Sequence, residues 1–261
     1  MSPSVALITG ASSGIGREFA LYYARLGFHI CMVGQNSLDL QNVSREIEEV
    51  GSTSKWVLAD LSSTHGVLQV LDECNSPHVL VANAGITMAG RAGTVSWNDL
   101  EKMSFLLGTG VAQLIEGVVP SMVRKGEGTI IVVSSIASLI DMPNSAVYAA
   151  SKSFATRYAS SLAREVGPVG VKVTAVCPGY VHTNLHHRAG LDHLEKRIPR
   201  WLWIDASTVV RAAVAGAQKG KSVVVPGLVY RVSLPFLNWS VAQKIWARIT
   251  RRGRSRKGSK A

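Results

Sequence analysis

Short β-branched runs alternate along the chain with longer stretches whose apolar positions recur at helical spacing. Strands are expected at residues 5–9, 29–33, 54–58, 78–82, 129–134, 171–176 and 222–225. Helices are expected at 14–26, 38–50, 64–72, 97–124, 146–165 and 207–218. The strand candidates are continuously apolar rather than alternating, which implies burial on both faces. Strands separated by helices imply right-handed crossovers and a parallel sheet. The pattern therefore predicts one doubly wound α/β domain over residues 1–233. It should hold about seven parallel strands with helices on both faces.

Composition changes this picture only at the C-terminus. Of 261 residues, 47% are apolar and 17% charged, which excludes a disordered chain. The net charge is +11, but it is unevenly spread. Lys244, Arg248, Arg251, Arg252, Arg254, Arg256, Lys257 and Lys260 crowd a tail with no acid. The body is ordinary, so nucleic-acid binding by the whole protein is not expected. Phe236, Leu237, Trp239, Val241, Ile245, Trp246 and Ile249 precede that tail. Residues 234–261 thus read either as a peripheral anchor on anionic lipid or as a docked helix with a solvated tail. No signal peptide is read, and no uncharged apolar run reaches the ~18 residues a bilayer span needs. Cys31, Cys74 and Cys177 are scattered and odd in number, which fits a reducing, cytoplasmic compartment.

Candidate chemistry begins at Gly10-Ala11-Ser12-Ser13-Gly14-Ile15-Gly16, between the first strand and the first helix. Glycine there allows a tight turn and close approach of backbone to a pyrophosphate, and the helix start supplies free N–H groups. The same letters spell the G-x-S-x-G elbow of hydrolases. That architecture needs several strands ahead of the elbow, and only nine residues precede this one.

The second candidate is Tyr148 with Lys152, four apart on an expected helix and so on one face. A free phenol has a pKa near ~10 and is a poor base at neutral pH. A nearby ammonium favours the phenolate, and a phenol so tuned can exchange a proton with an alcohol or carbonyl oxygen. Ser135 follows the strand at 129–134, where strand ends face a ligand crevice, and its hydroxyl can donate to the same oxygen.

These motifs, with Asp60, Asn83-Ala84-Gly85 and Pro178-Gly179 followed by Thr183, resemble the short-chain dehydrogenase/reductase family in its shorter single-domain branch. The resemblance runs from residue 5 to about 227 and implies a Rossmann fold. It implies an NAD(P)-dependent enzyme interconverting a carbonyl and a secondary alcohol. In that reading Tyr148 carries the proton, Ser135 orients the substrate oxygen, and Lys152 lowers the phenol pKa and holds the ribose. Gly10, Ser12, Ser13, Gly14, Ile15 and Gly16 would hold the dinucleotide, with Gln35, Asp60, Leu61, Ala84 and Gly85. Asp60 would meet the adenine edge and Asn83 would steady the central sheet. Pro178, Gly179, Val181 and Thr183 would hold the nicotinamide amide. Family members usually pair as homodimers or homotetramers.

The chain departs from the family at one helix position. Many members carry an asparagine thirteen residues before a proline, and counting back from Pro120 gives Leu107. Leucine has no donor or acceptor to hold the water that the asparagine is thought to hold. Either backbone carbonyls suffice, or turnover is slow, or the alignment slips by some residues. The alternative function is a weakly active or non-catalytic dinucleotide sensor or scaffold on the same fold.

Cofactor choice depends on residues 33–37, after the second strand, which contain no acid to bind a ribose 2′-hydroxyl. That favours NADP(H) over NAD(H), although Gln35 stands where many NADP-using relatives place an arginine. Arg17 either lies near that site or is a solvated helix residue. Residues 184–205 carry Leu191, Leu194, Ile198, Trp201, Leu202, Trp203 and Ile204. They read as a helical lid for a lipophilic substrate, or equally as core or subunit packing. His182 and His186 stand four apart but lack cysteine or carboxylate partners, so no metal is expected.

Overall fold

The computed structural model describes residues 3–87, 90, 93–183 and 198–237. Seven strands form one sheet, each hydrogen-bonded pair parallel. They are β1 (Val5–Thr9), β2 (His29–Gly34), β3 (Ser54–Leu58), β4 (Val79–Ala82), β5 (Gly128–Val133), β6 (Val171–Val176) and β9 (Val223–Val224). Their order is β3-β2-β1-β4-β5-β6-β9. Two further strands, β7 (Tyr180–Val181) and β8 (Trp203–Ile204), pair in a small parallel sheet.

The apolar strands are two-faced, as their composition predicts. Leu7, Leu80, Ile130 and Val173 enter one core cluster, and their neighbours Ile8, Val81 and Ile131 enter the other. The first cluster lies under α3 (Thr64–Glu73), α5 (Gly110–Lys125) and α6 (Ala146–Val166). The second lies under α1 (Gly14–Arg25), α2 (Ser37–Glu49) and α7 (Ala206–Gln218). The strand order reverses between β1 and β4, so the crevice opens above their C-terminal ends.

The helix expected at 97–124 is continuous but irregular. It begins as α4 (Trp97–Ser104), widens into a π turn at Phe105–Thr109, and resumes as α5. By length and composition Trp97–Lys125 is apolar enough to cross a membrane, yet half of its apolar window is buried. Leu107, Leu114, Ile115, Val118 and Met122 are all core residues. After β9, Pro226 and Gly227 lead into α8 (Leu228–Leu237). This helix straddles the expected domain boundary at 233/234. The rest of the apolar segment and the basic tail lie outside the described residues.

Candidate active site

Two strand ends carry the candidate groups. At the end of β1 the chain turns through Gly10, whose φ of 64° lies in the left-handed region that favours glycine. A Cβ on Gly16 would overlap the Gly10 carbonyl oxygen, so α1 starts hard against the turn. Ser13 is the N-cap of α1, yet its side chain makes no capping bond and no acid occupies the first turn. Asn36 caps α2, Ser63 caps α3 and Ser96 caps α4 through side-chain oxygens, while Ser145 of α6 and Asp205 of α7, like Ser13, make no such bond. The first N–H groups of α1 therefore have no side-chain acceptor, at the positive end of the helix dipole. This donor set fits a pyrophosphate.

The turn is tied to β4 by side chains. Asn83 Nδ2 donates to the carbonyls of Thr9 at 2.9 Å and Gly10 at 3.2 Å. The Thr9 hydroxyl accepts from the backbone N–H groups of Asn83 and Ala84, each at 2.9 Å. Thr9 is 1% exposed, so this junction is rigid. Farther out, Gln35 Nε2 donates to Asp60 Oδ1 at 3.0 Å. The Ser62 backbone N–H holds the Asp60 carboxyl below its usual range, helped by Lys102 and Gln35. Leu61, beside it, is buried in the core. Arg17 is not simply solvated: its guanidinium forks onto the Glu46 carboxylate of α2, with Nε at 3.0 Å.

At the end of β5 the groups are side chains, Ser135 and Tyr148 half-buried and Lys152 buried. Ser135 follows the strand in extended backbone, and its Oγ accepts from Ala137 N–H at 3.2 Å. Its hydroxyl faces the Tyr148 phenol closely enough to lower the phenol pKa. Burial pushes the Tyr148 pKa up, and Ser135 opposes that push. Lys152, one turn along α6, is 7% exposed and donates to the Val133 carbonyl at 2.8 Å. Burial drives its pKa down to about 8, partly offset by Cys177.

Beneath these groups lies a hydroxyl cluster. Thr156 Oγ1 donates toward Ser134 Oγ at 2.6 Å and Ser138 Oγ at 3.0 Å. Ser134 Oγ donates to the Lys152 carbonyl, and Ser138 Oγ to the Ser135 carbonyl. Thr156 and Ser134 escaped the sequence reading. The available signal was Thr156 standing four residues after Lys152 on the same helix face.

The segment from Pro178 to Thr183 joins the two ends. The Pro178 carbonyl accepts from Ile136 N–H at 2.8 Å, next to Ser135. Thr183 packs its methyl against Gly14, 2.9 Å from where a Cβ would stand. Leu107 sits in the π turn and is fully buried. Its Cδ2 and Lys152 Nζ lie 3.1 and 3.8 Å from the Cβ position of Gly85. Leucine and lysine thus approach the same glycine.

Of the expected helical lid, residues 184–197 lie outside the described residues. The remainder is not an α-helix. Arg200–Leu202 is a single 3-10 turn and Trp203–Ile204 is β8. Pro199 precedes the turn, and the Trp203 ring is buried against Tyr180 and His182, with centroids 5.5 and 5.0 Å apart. Trp203 is therefore packing, while Trp201 is 64% exposed.

Comparison with known proteins agrees with this geometry. The short chain dehydrogenase family matches residues 4–193. An oxidoreductase of Myxococcus xanthus is 34% identical over 189 residues, covering 71% of this chain and 75% of its own. Dehydrogenase/reductase SDR family member 7B of Bos taurus is 31% identical, covering 70% of this chain but 59% of its own length. Among solved structures, a short-chain dehydrogenase from Sphingobium yanoikuyae in complex with NADPH superposes with a TM-score of 0.81 at 26% identity. That match covers 97% of this chain and 98% of the other. A uniformly parallel sheet with its crevice between β1 and β4 and a glycine turn at β1 is the architecture of a dinucleotide-binding α/β domain. This chain belongs to the short-chain dehydrogenase/reductase family, the NAD(P)-dependent dehydrogenases and reductases.

Proposed function

We propose that this enzyme interconverts a carbonyl and a secondary alcohol on a lipophilic substrate, with Tyr148 exchanging the proton at the substrate oxygen. The observation that carries this reading is the meeting of Ser135, at the end of β5, with Tyr148 and buried Lys152 one turn apart on α6. A bound nicotinamide dinucleotide supplies or accepts the hydride. Burial raises the Tyr148 pKa, so the phenol holds a proton that it can donate to a carbonyl oxygen and take back from an alcohol. Ser135 faces the phenol and fixes the substrate oxygen beside it. Lys152 holds the ribose hydroxyls and adds positive charge behind the phenol when it is protonated.

The uncapped start of α1, with Gly10, Ser12, Ser13, Gly14, Ile15 and Gly16, receives the pyrophosphate. Asp60 and Leu61 line the adenine side, and Asn83, Ala84 and Gly85 floor the crevice. Pro178, Gly179, Val181 and Thr183 hold the nicotinamide amide. NADP(H) is favoured over NAD(H), since residues 33–37 hold no acid to bind a ribose 2′-hydroxyl. Measured dissociation constants for NADPH and NADH test this preference, and tighter NADH would reverse it. The second reading, a slow dinucleotide sensor, rests on buried Leu107 beside Lys152.

NADPH oxidation across a panel of ketones and aldehydes, with Tyr148→Phe as control, separates enzyme from sensor. Exposed Phe154 on α6 fits a homodimer or homotetramer. The exposed apolar residues Leu228, Val229 and Val232 on α8 suit a cytoplasmic enzyme with peripheral membrane contact through residues 234–261. Liposome co-sedimentation with and without that segment tests the contact.

A further inference from the structure

The small sheet contains an irregular rung. In a parallel pair an N–H bonds the carbonyl of the residue preceding its partner. Register pairs Tyr180 with Trp203 and Val181 with Ile204. The rule holds one step on, where His182 N–H donates to the Ile204 carbonyl at 3.1 Å. The same rule points Tyr180 N–H at the Leu202 carbonyl. Instead the Tyr230 hydroxyl of α8 stands between them. It accepts from Tyr180 N–H at 3.0 Å and donates to the Leu202 carbonyl at 2.5 Å. One phenol oxygen thus completes both halves of a backbone bond.

Tyr230 is built for this position. It is 5% exposed, whereas Leu228 and Val232 on the same helix are 71% and 61% exposed. Its ring fills the space in front of Gly179, where any Cβ would overlap it. Gly179 and Tyr180 precede Val181 and Thr183, and the other end of the segment is tied through Pro178 to the turn after Ser135.

We propose that Tyr230 is a positioning residue that sets the height of the 179–183 segment, and so governs binding of the nicotinamide half of the dinucleotide without touching the adenosine half. The inference rests on the proposed function, in which that segment holds the nicotinamide amide. Tyr230→Phe keeps the ring and removes the oxygen. The direct rung then closes, and Val181 and Thr183 move with it.

The test is calorimetric binding, to the full chain, of NADPH and of 2′-phospho-ADP-ribose, which lacks only the nicotinamide. Tyr230→Phe should weaken NADPH by about tenfold and leave 2′-phospho-ADP-ribose unchanged. Leu228→Ala, on the exposed face of α8, should change neither. Equal loss of both ligands, or no loss of NADPH, overturns the inference. If wild-type protein binds neither NADPH nor NADH, the proposed function itself fails and takes the inference with it. Amide exchange in the unliganded wild type gives a reading that needs no variant. The Tyr180 amide should exchange slowly, and a fast one refutes the rung.

Discussion

The two strand ends that meet at the site are built by opposite means. At β1 the working surface is made by leaving things out. Gly10 and Gly16 present bare backbone, and Ser13 leaves the helix start uncapped. At β5 the surface is made of side chains, half-buried Ser135 and Tyr148, resting on buried ones. Ser134, Lys152 and Thr156 are each under 9% exposed and each is hydrogen-bonded. The difference follows from the ligands. A pyrophosphate carries fixed charge and needs many N–H donors at short range, which backbone supplies. Proton transfer needs one group whose pKa is set by its surroundings, which a side chain supplies.

The sharpest way to break this comparison is Tyr148→Phe. It should lower turnover by about 10²–10⁴-fold while dinucleotide affinity stays within a factor of about three. Parallel loss of binding would show that the two ends are not separable. Gly16→Ala should do the reverse. The added methyl meets backbone that cannot move, which costs about 1–3 kcal/mol of stability. Dinucleotide affinity should fall at least about tenfold, read by titration and thermal melting.

Lys152 sharpens the electrostatic side. Its folded pKa of about 8 lies below the usual 10.5, so the folded state binds fewer protons between those values. Stability of the unliganded protein should therefore rise with pH from about 8. The gain is on the order of 3 kcal/mol at most. Tyr148, raised above 10.0, opposes the trend at the alkaline end, where unfolded tyrosine loses its proton first. Denaturant titrations from pH 7 to 10 measure the slope, and Lys152→Met should flatten it. The smallest effect is expected of Leu107→Asn. Turnover should change less than about threefold or rise, since the backbone of the π turn is unaltered, and a large fall would mean that leucine itself is required.

Much of this was legible because backbone demands are local. The glycine turn, the Tyr148–Lys152 spacing and Ser135 are read from adjacent letters, and two-faced strands announce themselves as unbroken apolar runs. What escaped depends on groups far apart in the chain. Thr156 reaches Ser134 across 22 residues, and Tyr230 reaches Tyr180 across 50. The pairing of Arg17 with Glu46 spans 29 residues and gives Arg17 a role neither expected reading offered. The region 200–204 misled because aromatic and apolar residues at helical spacing also suit a 3-10 turn followed by a strand, and ring packing decided between them.

The widened turn at Phe105–Thr109 has an evolutionary signature of its own. A π turn holds one residue more than the α-helix around it, and each residue advances the helix by about 100°. The wide turn absorbs that extra residue, so α4 and α5 keep the bearings they would have on a regular helix, with Met103 in the core and Trp97 outside it. Deleting a single residue at 105–109 should therefore restore a plain α-helix with both faces kept, and one-residue gaps in related chains should fall there rather than elsewhere along this helix.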